Sequence, residues 1–170
     1  ATWGALGFMP LDKMQVARVN EPADAAAAAK QMLDAGTDGV KVYAVTVGRS
    51  GLTLPEPAIQ AVVKEAHGRG KPVFAHPTTE AGLMAALRSG ADVLAHTTPQ
   101  SGPWNDSALA AMTQARVALV PTLSLWRYEL RNERISLADG FEETAIGQLR
   151  GWSRGGGVVL FGTDVGYITA

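Results

Sequence analysis

Lys71–Thr98, KPVFAHPTTEAGLMAALRSGADVLAHTT, reads as strand, helix, strand, and each strand ends in a histidine. Pro72–Ala75 and Asp92–Ala95 are short apolar runs, the pattern of parallel strands covered on both faces. Between them Leu83, Ala86 and Leu87 repeat at helical spacing within Thr78–Ser89, and Gly90 supplies a stop. His76 and His96 therefore fall at the carboxyl ends of neighbouring parallel strands. In a (β/α) barrel that face carries the active site, and a neutral imidazole there is a natural metal ligand. One such histidine is more often structural. Two at equivalent positions of successive units point to a shared site.

The same alternation runs outward in both directions. Thr2–Phe8 has the character of a strand end and Pro10–Asn20 that of a loop; Asn20 then caps an alanine-rich helix with Pro22 near its first turn, closed at Ala35-Gly36. Gly39–Ala44 is a strand, Val45–Pro55 a long loop, and Glu56 to His67 a helix closed by Gly68 and Gly70. After the histidine unit, Thr97–Trp104 is a polar loop, Asn105 or Asp106 caps a helix reaching Gln114, and Val117–Leu123 is a strand. Leu125–Gly140 is mixed in character. Phe141–Arg154 is helical, Gly155–Gly157 a tight turn, and Val158–Phe161 a last apolar strand running into Gly-Thr-Asp. No Asn-Gly hairpin signal separates the strands, so parallel strands with right-handed crossovers are expected. Six strand-like segments end near Phe8, Tyr43, Ala75, Ala95, Leu123 and Phe161, against eight in a closed barrel of typically about 250 residues. The expected fold is α/β, a TIM-type (β/α)8 barrel, incomplete, forming one partial catalytic domain over residues 1–170.

Composition agrees with a globular enzyme. The chain is 46% apolar and 18% charged, and a net charge of -1 argues against a nucleic-acid partner. There is no cysteine, which removes disulfides and thiolate sites and leaves the compartment unread. No apolar run reaches membrane-spanning length, and no targeting segment is recognisable. The expected partner is a small-molecule substrate; a chain that ended at Ala1 and Ala170 would, with the open edge of an incomplete parallel sheet, be expected to self-associate into a homo-oligomer, swap elements or be poorly soluble.

Four residues fall on the carboxyl face of the expected sheet: Lys41 inside GVKVYA, His76, His96, and Asp164 after LFGT. Desolvating an ammonium is costly, so Lys41 is read either as an ion-pair partner of a nearby carboxylate or as part of the site. Asp164 is either a turn residue after Gly162, which lets the backbone turn the carboxylate towards the barrel axis, or a ligand. Imidazole and carboxylate donors together suit Zn²⁺, Mn²⁺ or Fe²⁺. His67, at the opposite end of a helix, is read as a dipole-favoured C-terminal residue and not a ligand. Trp104, Trp126 and Trp152 are assigned to packing in preference to a pocket.

DGVKVY around Lys41, VFAH at His76, VLAH at His96 and LFGTD at Asp164, in this order and spacing, resemble the amidohydrolase superfamily, in particular its imidazolonepropionase-like and Xaa-Pro dipeptidase-like branch. The resemblance runs from about Asp38 to Gly166 and assigns the four motifs to strands four, five, six and eight of the barrel. It implies a divalent metal cofactor, zinc foremost, as one or two ions. It further implies that Lys41 carries a CO₂-derived carboxylate bridging two metals, that His76 and His96 bind the second metal, and that Asp164 ligates the first and acts as catalytic base. The family's His-x-His of strand one has no counterpart in this sequence, so strands one and two and the closing helix are expected to lie outside it.

No nucleophile elbow is present, GRSGLT lacks the Walker lysine, and Gly155–Gly157 precede a strand where a dinucleotide fingerprint would follow one. The expected function is metal-dependent hydrolysis of a carbon–nitrogen bond, with Val45–Pro55, Thr97–Trp104 and Leu125–Gly140 shaping the pocket. The alternatives are an inactive barrel fragment that needs partner contacts, and a metal-dependent barrel lyase or isomerase.

Overall fold

A computed structural model describes residues 19, 21–45, 54–131 and 140–164. Its centre is a five-stranded, all-parallel sheet in sequential order: β1 (Val40–Ala44), β2 (Val73–Pro77), β3 (Val93–Ala95), β4 (Ala118–Val120) and β5 (Val158–Val159). The helices are α1 (Pro22–Asp34), α2 (Glu56–His67), α3 (Glu80–Ser89), α4 (Asp106–Ala115), α5 (Leu123–Arg131) and α6 (Phe141–Arg154). Closure into a barrel is not shown by these strands. The strand expected at Thr2–Phe8, nearly all of the loop expected at Pro10–Asn20, most of Val45–Pro55 and residues 132–139 of the mixed stretch lie outside the described residues.

The ends of the helices follow from local chemistry. Thr79 caps α3 by accepting from the Gly82 N–H at 3.3 Å, and Asn105 caps α4 by accepting from Ala108 at 2.8 Å. Gly90, at φ 88°, ends α3 in the left-handed region that glycine tolerates best. The N-cap of α1 is Glu21, not Asn20, with Pro22 in the first turn. The mixed stretch resolves in part into α5, so the β4 strand stops at Val120, and Leu123 opens a helix instead of ending a strand.

One sheet face is packed; on the other, β1 and β2 are more open than the expectation of cover on both faces, while β3 is buried on both as expected. Register pairs Val40 with Val73, Val42 with Ala75, Ala75 with Leu94, and Leu94 with Leu119. All of these are buried, in a core completed by Ile59, Val62 and Val63 of α2, Leu83 of α3 and Met112 of α4. Lys41, Tyr43, Phe74 and His76 alternate onto the opposite face. The run Val158–Phe161 forms only a two-residue strand at the sheet edge, and its four side chains are exposed, Phe161 to 94%. No helix among the described residues is long and apolar enough to cross a membrane.

Candidate metal centre

His76 lies within β2, opposite Tyr43 of β1, and His96 follows β3 directly. Parallel pairing of β2 with β3 brings the two imidazoles together, edge to face, with ring centroids 4.3 Å apart. His96 is 1% exposed. Burial drives the His96 pKa down to about 3, and the Lys41 charge pushes the same way. For His76, burial first, then His96 and Lys41, hold the ring well below its ordinary value. Both rings are therefore neutral at physiological pH.

The two nitrogens of His96 have different surroundings. Nδ1 is 2.6 Å from Thr122 Oγ1, at the end of β4. Nε2 is buried, makes no hydrogen bond among the described residues, and faces Asp164 Oδ2 at 3.8 Å. That separation is too long for a hydrogen bond. It is close to the roughly 3.3 Å between two ligands held at about 2.0–2.1 Å in a zinc tetrahedron. Asp164 is 34% exposed and sits at φ 58°. The backbone turn belongs to Asp164 itself and not to Gly162; a Cβ at 162 would meet Val120 Cγ1 and force that side chain to turn.

Lys41 shares the open face with His76, but it is an exposed residue and not the buried lysine that an apolar strand implied. Its Nζ lies 5.4 Å from the Tyr43 ring centroid. Desolvation still lowers its pKa, while the Asp164 carboxylate pushes the other way, and the water around the side chain weakens the depression. The same two features, burial and then Asp164, raise the Tyr43 phenol.

These donors fit a divalent ion of zinc type in chemistry: two neutral imidazoles, one with a buried nitrogen left for a ligand, and one carboxylate. Among the described residues, however, no three His, Cys, Asp or Glu side chains converge into a cage. His67 stands apart, at the amino end of the sheet, with Nε2 2.8 Å from Asp92 Oδ2.

The sequence reading missed the scaffold of the loop after β3. Trp126 Nε1 donates to Thr97 Oγ1 at 2.9 Å and Trp104 Nε1 to Thr98 Oγ1 at 2.8 Å, so these tryptophans pack and anchor. Trp126 also lies 5.8 Å from His96, ring centre to ring centre. Thr122 was missed as well. Its one signal in the sequence was its place just past an apolar strand, level with the histidines.

No protein-family model matches the chain, and no curated protein matches it. Solved structures do. A Xaa-Pro dipeptidase with bound methionine in its active site superposes with a TM-score of 0.70 at 23% identity, over 94% of this chain and 43% of its own. Ochratoxinase of A. niger gives 0.74 at 21% identity, over 86% of this chain and 35% of its own. An amidohydrolase gives 0.64 at 26% identity, over 85% and 38%. The structural neighbours of this chain are thus Xaa-Pro dipeptidase-like amidohydrolases, as the motifs implied, and the chain spans about two fifths of their length.

Proposed function

We propose that this chain carries part of the metal centre of a hydrolase that cleaves a carbon–nitrogen bond in a small amide, cyclic amide or peptide. The observation that carries the reading is the pair of neutral imidazoles of His76, half-buried, and His96, buried, on adjacent parallel strands, with the Asp164 carboxylate facing the open nitrogen of His96. His76, His96 and Asp164 would hold a divalent ion, zinc in the first instance. The ion would supply Lewis acidity and a bound water of pKa about 7.

The chain's own residues account for the rest. One oxygen of Asp164 would stay on the ion's side, towards His96, while the other accepts a proton from the attacking water and returns it to the leaving nitrogen. One C–O bond forms and one C–N bond breaks, yielding a carboxylic acid and an amine. Lys41 would enter as a carbamate: neutral Nζ attacks CO₂, a N–C bond forms and one proton is released. A lowered ammonium pKa favours that reaction, since only the free amine is nucleophilic.

The test is zinc retention after gel filtration, with and without bicarbonate, followed by hydrolysis of a panel of dipeptides, N-acyl amino acids and cyclic amides. Wild type should hold zinc, and His76→Ala and His96→Ala should lose most of it while keeping their circular dichroism spectrum. Bicarbonate should raise occupancy in wild type and not in Lys41→Ala. A wild-type chain that retains no zinc, or alanine variants that retain as much, overturns the reading. The chain's span of about two fifths of its neighbours' length favours a second reading, in which it is a barrel fragment that needs partner contacts and has no turnover of its own. Stoichiometric zinc with no hydrolysis of any panel member would select it.

A further inference from the structure

Four non-glycine residues among those described have positive φ: His96 at 90°, Arg116 at 52°, Thr122 at 45° and Asp164 at 58°. Arg116 is the C-cap of α4, a common place for such a conformation. The other three lie just past β3, β4 and β5, and they are joined in one line: Thr122 to His96 at 2.6 Å, His96 to Asp164 at 3.8 Å. For a β-branched residue such as Thr122 the left-handed region is a strained outlier, of the kind that marks functional positions. Thr122 is also 3% exposed and immediately precedes α5, where a threonine hydroxyl commonly caps the helix. Here the hydroxyl is turned to His96.

We propose that Thr122 is a positioning residue whose Oγ1 accepts a hydrogen bond from the Nδ1–H of His96, fixing the tautomer that leaves the Nε2 lone pair available as a ligand. The opposite tautomer would put an N–H on Nε2, a buried donor with no acceptor within hydrogen-bonding distance among the described residues. A neutral ligand histidine with its second nitrogen hydrogen-bonded is the usual way a protein orients the ring. The inference rests on the metal-centre reading for its purpose, but the tautomer exists without the ion.

Long-range ¹H–¹⁵N correlation spectra of the zinc-free protein at pH 7 report the tautomer directly. His96 should be protonated on Nδ1 in wild type and in Thr122→Ser, and should lose that preference in Thr122→Val. Zinc affinity should fall by about 10- to 100-fold in Thr122→Val and stay near wild type in Thr122→Ser. Thr122→Gly relieves the backbone strain while deleting the hydroxyl, so it should show the same tautomer loss should the valine variant fold poorly. Nε2–H in wild type, or an unchanged tautomer in Thr122→Val or Thr122→Gly, overturns the proposal. The expected tautomer in a wild-type chain that binds no zinc would leave Thr122 as the positioning residue and remove the metal reading instead.

Discussion

Gln148 of α6 and Thr98 exchange two hydrogen bonds: Gln148 Oε1 accepts from the Thr98 N–H at 2.8 Å, and Gln148 Nε2 donates to the Thr98 carbonyl at 3.0 Å. The same amide nitrogen also donates to the Gly102 carbonyl at 2.6 Å. A helix side chain thus satisfies the backbone of the loop that leaves His96, at a position only 2% exposed. Replacing it with an apolar side chain strands these backbone groups in the interior. Gln148→Leu should lower unfolding free energy by about 2–4 kcal/mol, measured by urea denaturation. A loss within about 0.5 kcal/mol would mean that water takes over the glutamine's bonds.

Gly82 in the first turn of α3 is a second point of close approach. A Cβ at that position would run into the carbonyl oxygen of Ala44, at the end of β1. On helix propensity alone Gly82→Ala should stabilise by about 1 kcal/mol. The backbone collision should reverse the sign and cost about 3 kcal/mol. Thermal melting decides between the two, and a raised Tm would show that α3 moves away from β1 freely.

Local chemistry was legible in the sequence, and contacts across the fold such as those of Gln148 and Gly82 were not. Helix ends at Gly90 and Asn105 could be read because capping is local chemistry within three or four residues. His76 and His96 could be placed side by side because parallel pairing of successive strands is the commonest outcome of βαβ order. The exposure of Lys41 was not legible because an apolar run does not say which sheet face remains open; that depends on what packs over it. Thr122 and Gln148 were invisible for the same reason. Their partners are 26 and 50 residues away, and no local period announces a contact of that range.

Asp92 is expected to matter for stability and not for the metal. Its Oδ2 accepts from the Val73 N–H at 2.7 Å and from His67 Nε2 at 2.8 Å, tying the amino ends of β2 and β3 to the end of α2. Asp92→Ala leaves the part-buried Val73 N–H unpaired and should cost about 1–3 kcal/mol. His67→Ala removes only an exposed partner and should cost under about 1 kcal/mol. Zinc retention should be unchanged in His67→Ala. Loss of metal there would place a ligand at the wrong end of the sheet and contradict the site as drawn.

The neutral imidazoles should make the metal-free protein acid-sensitive. His96 titrates at about 3 in the folded state, against about 6.5 in an unfolded chain. Below pH 6.5 the unfolded state takes up a proton that the folded state refuses, so stability falls as pH falls; above that value the contribution is complete. Between pH 6.5 and 3 the slope is about 1.4 kcal/mol per pH unit for this one ring, and His76, held low by the same burial, adds in the same direction. Urea midpoints between pH 7 and 4.5 should therefore drop by more than carboxylate protonation alone accounts for. In His96→Gln, whose side chain does not titrate, the decline over that window should be shallower by about 1.4 kcal/mol per pH unit. Parallel declines in the two proteins would mean that His96 takes up its proton over the same pH range folded and unfolded, and that burial does not hold the ring neutral through this window.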